Sequence, residues 1–321
     1  METEKNIPLV SIALATYNGE KYLVEQLDTL VHQTYKNIEI IVSDDGSTDG
    51  TLQILTNYAE KYSNFFVYKN EFAHGVKRNF ENAIKYCKGT YLAFSDQDDI
   101  WMLDKIEKLV GAIGNYSLVY HDSLFVDETG KSLNKTFSTD LNCYSGHDAR
   151  AFLFSNCVSG HALLVKKNIL LKALPFPKAK HHDWWLAFRA ADNGGIKLLD
   201  EILVHYRQHS NSQTDFLRLK EGKISAEKLK EIEKEDIEWY ETCASVEGEH
   251  QPFFKKWCRV YKSKNEHIWD LQLFLLSIAN VSKLFYMIKK SKASIFVTLI
   301  KRSWGENTKA WFKSLKNKKN D

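Results

Sequence analysis

Residues 9–19 read LVSIALATYNG, residues 38–51 read IEIIVSDDGSTDGT and residues 91–101 read YLAFSDQDDIW. Each stretch begins as a continuous apolar run of strand length and ends in polar, turn-forming residues. Between them lie helical spacings: Leu23, Leu27, Leu30 and Val31 after the first run, and Leu52, Leu55, Tyr58 and Ala59 after the second. Residues 65–68 read as a further strand and residues 80–86 as a further helix. This alternation predicts an α/β fold with a Rossmann-like, mainly parallel central sheet and helices on both faces. Ligands of such sheets bind beyond the carboxyl ends of the strands, so the three polar endings are expected to converge on one edge.

Further along, residues 118–126 are strand-like and Asp127-Glu-Thr-Gly130 is a turn signal. Strand patterns at 162–165 and 202–206 flank a helical pattern over 183–191, a mixed α/β continuation of the same domain. From Asp215 onward long charged helical stretches take over, with Leu229, Ile232, Trp239, Cys243 and Val246 at three-and-four spacing. The chain is therefore expected to divide into a ligand-binding domain over residues 1–212 and a helical C-terminal region over residues 213–321.

The formal net charge of +3 is unevenly spread: from residue 283 to the end eleven Lys/Arg face two acids, Glu306 and Asp321. This basic tail, which mixes Leu284, Phe285, Phe296, Trp304, Trp311 and Phe312 with lysines, predicts peripheral contact with an anionic membrane surface. A helical cap on the domain or a homodimer contact is the competing use, and no nucleic-acid partner is expected. Five scattered cysteines lack metal-ligand or redox spacing and read as idle thiols of a reducing interior. The N-terminal segment places acids before its apolar run, unlike a signal peptide. No window reaches the ~18 uninterrupted apolar residues of a membrane span; the longest, residues 268–281, is broken by Asp270 and Gln272. The expected location is cytoplasmic, at the inner face of the membrane.

The strand endings carry the chemistry. Asp96 and Asp98 are spaced i and i+2, so an extended chain can turn both carboxylates toward one hard cation, Mg²⁺ or Mn²⁺. The alternative is a solvated acidic turn. The run from Asp44 to Asp49 needs one acid as a helix cap but holds three, which leaves Asp44 or Asp45 for hydrogen bonds from a base and ribose. In Tyr206-Arg207-Gln208-His209, Arg207 suits a diphosphate and His209 suits a metal shell. Trp101, just after the acids, is a candidate acceptor platform, with core packing as the bland reading. The same pair of readings applies to Trp184.

Taken together, ATYNGEKYL, EQLDTLVHQTYKNIEIIVSDDGSTDGT, GVKRNFENAI, FSDQDDIWMLDKI, NCVSGHALLVKK, HHDWWLAF and YRQHSNSQ resemble, in order and spacing, the family 2 glycosyltransferases of GT-A fold. The resemblance covers residues 8–213, and the DQDDIW, HDWW and YRQH variants look most like bacterial rhamnosyltransferases of surface polysaccharide synthesis. It implies a catalytic domain in which Thr16, Tyr17, Asn18, Asp44, Asp45, Arg78 and Asn79 bind the nucleotide sugar. It further implies Asp96 near ribose and metal, Asp98 as metal ligand and Asp183 as catalytic base, although His182 stands where many relatives carry an acid. The implied reaction is inverting, Mn²⁺- or Mg²⁺-dependent transfer of a sugar, from dTDP-rhamnose or else a UDP-hexose, to a glycan or lipid-linked glycan hydroxyl.

Two other classes are weighed against it. A sugar-phosphate nucleotidylyltransferase would want a Gly-rich, basic phosphate loop after the first strand, and Thr16-Tyr-Asn-Gly-Glu is not one. A non-catalytic sugar- or nucleotide-binding module leaves Asp183 and the strand-end acids without a task.

Overall fold

A computed structural model describes residues 7–209, 226–264 and 269–304. The chain forms two compact units, Met1–His147 with Asn156–Glu221, and Asp148–Ser155 with Gly222–Asp321. The expected boundary at residues 212–213, and the tail residues Glu306, Trp311, Phe312 and Asp321, lie outside the described residues.

In the first unit the parallel strands are β1 (Val10–Thr16), β2 (Ile38–Asp44), β3 (Phe65–Lys69) and β4 (Tyr91–Ser95). They are crossed by helices α1 (Glu20–Val31), α2 (Thr51–Lys61) and α3 (Val76–Tyr86). Strands β1 and β2 are almost wholly buried because both sheet faces are covered, which is why they read as unbroken apolar runs. Leu23, Leu27 and Leu30 of α1 pack into one cluster with Val10, Ile12 and Leu14 of β1. Of the four residues at helical spacing on α2, Leu55 is buried and Leu52 is exposed. The helix turns Thr51 inward, where its hydroxyl accepts the Gly19 N–H at 2.8 Å.

The remaining strands are β5 (Ile100–Trp101), β6 (Leu118–Val126), β7 (Ser132–Thr136), β8 (Leu163–Lys166) and β9 (Ile196–Arg207). With them come helices α4 (Lys105–Ile113), α5 (Phe137–Asp140), α6 (Lys167–Lys172) and α7 (His182–Ala191). The sheet order is β3-β2-β1-β4-β8-β6-β9-β5, with β7 beside β6. The sheet is wholly parallel in its first half and mixed in its second: β8 runs antiparallel to both β4 and β6, while β6 and β9 are parallel. The consequence is positional. Because β8 is reversed, the chain entering it meets the same sheet edge as the chain leaving β1, β2, β4 and β9.

The second unit is helical, with α8 (Ala226–Ser245), α9 (Gln251–Ser263), α10 (Leu271–Ala279), α11 (Val281–Leu284) and α12 (Lys292–Arg302). Tyr240 of α8 meets Trp257 and Tyr261 of α9 edge-on, at centroid distances of 6.0 and 4.8 Å. Segment 148–155, read in sequence as part of the α/β domain, belongs here: Trp239 donates to the Leu153 carbonyl at 3.1 Å and Arg150 to Asn280 at 2.8 Å. No described helix is long and apolar enough to cross a membrane.

Candidate active site

Three loops interlock at the strand ends. Thr16 closes β1 opposite Asp44 of β2, and its hydroxyl donates to Asp44 Oδ2 at 2.8 Å. The Asp45 N–H returns to the Thr16 carbonyl at 2.9 Å, and Asn79 of α3 donates to the same carbonyl at 3.1 Å. Tyr17 is held by Gln97, which accepts from its N–H at 2.8 Å and donates to its carbonyl at 3.1 Å. Asn18 sits at φ 47°, a left-handed conformation that asparagine tolerates, and its side chain accepts the Thr48 N–H at 2.8 Å. Asp45 accepts from Asn70 at 2.6 Å, His74 at 3.0 Å and Gly75 N–H at 2.8 Å. A carboxylate offers about four acceptor positions, so Asp45 keeps one for a ligand donor.

The acids after β4 divide between two settings. Asp98 Oδ2 meets His209 Nε2 at 2.8 Å, both side chains partly open to solvent. Asp96, Asp99 and His161 form a second group, each offering one ligand atom, all within 4.8 Å of one another. His161 arrives on the reversed approach to β8, and its ring nitrogens lie near Ser123 and Ser159 hydroxyls at 2.9 and 3.1 Å. Burial first, then the charges of Asp98 and Asp96, push Asp99 well above the ordinary carboxylate range. Its Oδ2 is buried without a hydrogen-bond partner among the described residues. Beneath them lies Lys105, fully buried, its ammonium donating to the His161 carbonyl at 2.6 Å and seated over the Trp101 ring. Burial pulls Lys105 well below the ordinary lysine value against the opposing pull of Asp99 and Asp96. Oxygen-rich donors with imidazole, and an orphaned carboxylate oxygen, fit a hard divalent cation.

Asp183 opens α7, and its Oδ1 accepts the Trp184 N–H at 2.5 Å. Burial raises its carboxyl to about 7, with the Trp184 N–H opposing, Asp96 adding to the rise and the Gly160 N–H also opposing. The 159–162 turn thus touches both groups: Gly160 donates toward Asp183, while His161 lies against Asp96 and Asp99. A Cβ on Gly160 would sit 2.8 Å from His182 Nε2. That ring is wedged among Phe80, Phe94 and Phe176.

Four sequence-assigned residues have other duties in this structure. Asp44 accepts from Thr16, Gly46 and Ser47, the last through both its N–H and its hydroxyl, so it folds the loop and has no free carboxylate to present. Arg78 is ion-paired with Glu81. Arg207 is buried and donates to the Asp98 and Glu128 carbonyls, each at 2.8 Å, and to Glu25 at 2.6 Å, leaving the guanidinium committed to scaffolding the acid loop. Trp101 is 2% exposed and packs over Lys105, so its ring cannot serve as an acceptor platform. Tyr17 is exposed, and Trp184 is half-buried with the Lys180 ammonium over its ring at 4.8 Å. His161, Asp99 and Lys105 escaped assignment; the Gly-His step directly before an apolar strand was the available signal for the first.

The mixed sheet with its crossing helices and strand-end loops has the GT-A glycosyltransferase fold. The protein-family model for Glycosyl transferase family 2 matches residues 11–169, and the chain belongs to that family. It is 26% identical over 239 residues to the Escherichia coli UDP-Glc:alpha-D-GlcNAc-diphosphoundecaprenol beta-1,3-glucosyltransferase WfgD, covering 71% of this chain and 83% of that protein. With the E. coli enzyme WfaP, named for the same activity, it is 29% identical over 226 residues, covering 70% and 82%. In fold it is similar to S. aureus TarS 1–349 in complex with UDP-GlcNAc, with a TM-score of 0.56 and 18% identity over 91% of this chain and 79% of that one. Mannosyltransferase PcManGT from Pyrobaculum calidifontis, in complex with GDP-Man and Mn²⁺, gives a TM-score of 0.53 and 15% identity, covering 96% and 84%. The protein is an enzyme that transfers sugar from a nucleotide-sugar donor.

Proposed function

We propose that the enzyme inverts configuration at the transferred sugar, with divalent-metal assistance, and builds a bacterial cell-surface polysaccharide on a lipid-linked acceptor at the cytoplasmic face of the membrane. The observation that carries this reading is Asp183: a carboxyl raised to about 7 by burial, joined through one turn to the acids after β4. Thr16, Asn18, Asp45 and Asn79 frame the donor's base and ribose. Asp98 with His209, and Asp96 with Asp99 and His161 beside it, would hold Mn²⁺ or Mg²⁺, which supplies Lewis-acid stabilisation of charge on the departing diphosphate. Ionised Asp183 takes the proton of the acceptor hydroxyl as its oxygen bonds to the anomeric carbon. The bond to the nucleoside diphosphate breaks, and its electron pair leaves with the diphosphate oxygen. One displacement gives inversion. Trp184, beside Asp183, would flank the acceptor.

The donor is proposed to be a pyrimidine nucleotide sugar. The names of WfgD and WfaP favour UDP-glucose, and they also specify a diphosphoundecaprenol acceptor; dTDP-rhamnose is the competing donor. The test is nucleotide release from UDP-glucose, UDP-GlcNAc, dTDP-rhamnose and GDP-mannose, with Mn²⁺ and with EDTA. One pyrimidine donor should turn over and EDTA should stop it. Undiminished turnover in EDTA would refute metal assistance, and pyrophosphate release would indicate nucleotidyl transfer instead.

A further inference from the structure

Helix α10 carries Leu271, Phe274, Leu275 and Ile278 at i, i+3, i+4 and i+7, which places them on one stripe. Leu271 is 53% and Leu275 55% exposed, and on α12 Phe296 and Val297 are each 48% exposed. The two helices are joined through an edge-on contact of Phe274 with Phe296, centroids 5.8 Å apart, and Phe274 also packs on Trp269 at 5.1 Å. The exposed side chains therefore form one continuous apolar surface. Scattered exposed leucines need no explanation, but a contiguous patch with a charged border marks an interaction site.

The segment that carries the patch has charged side chains of a single sign. Residues 271–304 contain five lysines and Arg302 and not one Asp or Glu. Arg302 is engaged inward, on the Tyr240 hydroxyl at 3.3 Å and the Phe154 ring at 4.1 Å, and Lys283 faces Asp148 at 3.9 Å, so the exposed Lys289, Lys290, Lys292 and Lys301 supply the charge. A second copy of this chain would set lysines against lysines. An anionic lipid surface offers phosphate to the lysines and an acyl boundary to the apolar stripes.

We infer that the face made by α10 and α12 docks the enzyme on an anionic membrane surface. This rests on the lipid-linked acceptor of the proposed function, and it moves the contact from a basic tail to a built, two-helix surface. Helix α10, far too short to span a bilayer, has the stripe needed to lie flat in its interface.

The test is flotation of the full chain with vesicles of phosphatidylcholine alone and of phosphatidylcholine mixed equally with phosphatidylglycerol. Binding is expected only to the mixed vesicles, with each border lysine contributing about fivefold. Leu275→Asp with Phe296→Asp should weaken binding at least tenfold, as should Lys289→Gln with Lys290→Gln and Lys292→Gln. The milder Leu275→Ser should lie between, with melting temperatures unchanged throughout. Failure of the unmodified chain to bind would overturn the inference. So would undiminished binding by the double variant, which would place the contact on another segment, or a dimer that the double variant dissociates while vesicle binding persists. Transfer to a short water-soluble acceptor should be equal in all variants. If the unmodified enzyme shows no transfer at all, it is the functional reading that fails, and vesicle binding is judged separately.

Discussion

Asp183 needs its charge to accept a proton, and its surroundings withhold that charge until the pH nears 7. The sign follows: protonated below that point it is inert, ionised above it is a base, so kcat should rise with pH along a single-proton limb centred near 7. An unburied carboxylate would give a rate already flat by about pH 5. A pH profile of kcat at saturating donor checks this. Arg207 shows what residue types alone withhold. An arginine at a strand end suits phosphate, but the Asp98 and Glu128 carbonyls and the exposed Glu25 carboxylate have claimed its donors. Arg207→Met removes a buried side chain's hydrogen bonds to the acid loop and should lower stability by about 1–3 kcal/mol in all, read as a fall in Tm. Asp44 gives the same lesson: identity and position were legible, while the neighbours that saturate it were not.

At the scale of elements, the first four strands and their crossovers followed directly from apolar period, because parallel strands buried on both faces leave an unmistakable run. The reversed β8 left no such trace. Four apolar residues have no direction in the sequence, and direction is what brings His161 to Asp96 and Asp99. The turn before β8 is therefore the joint between Asp183 and the acid cluster, and at Gly160 it leaves no room for a Cβ beside His182. Gly160→Ala should force the turn or the packed His182 ring aside. The expected result is a loss of kcat of at least tenfold, with little change in KM for the donor, and a stability cost of about 1–3 kcal/mol. Steady-state kinetics with a thermal melt tests both.

At the scale of the whole molecule, acids from strand ends about fifty residues apart were expected at one edge, and the loops after β1, β2 and β4 do interlock there. Legible in sequence, too, were Asp98 with His209, which meet at 2.8 Å across 111 residues. Pocket shape was not, since donor choice turns on a few contacts of about 1–3 kcal/mol that composition does not encode. Asp98→Asn or His209→Ala should raise the Mn²⁺ needed for half-maximal activity at least tenfold, as a metal titration of the rate would show. The central claim is that nucleotide loops, metal-type donors and Asp183 serve one reaction. Its most direct test is the Asp183→Asn variant, with donor affinity measured by calorimetry and transfer measured in a single turnover. The account predicts donor binding within about twofold of the unmodified enzyme and transfer slowed by roughly 10²–10⁴-fold. Transfer at the unmodified rate would contradict it.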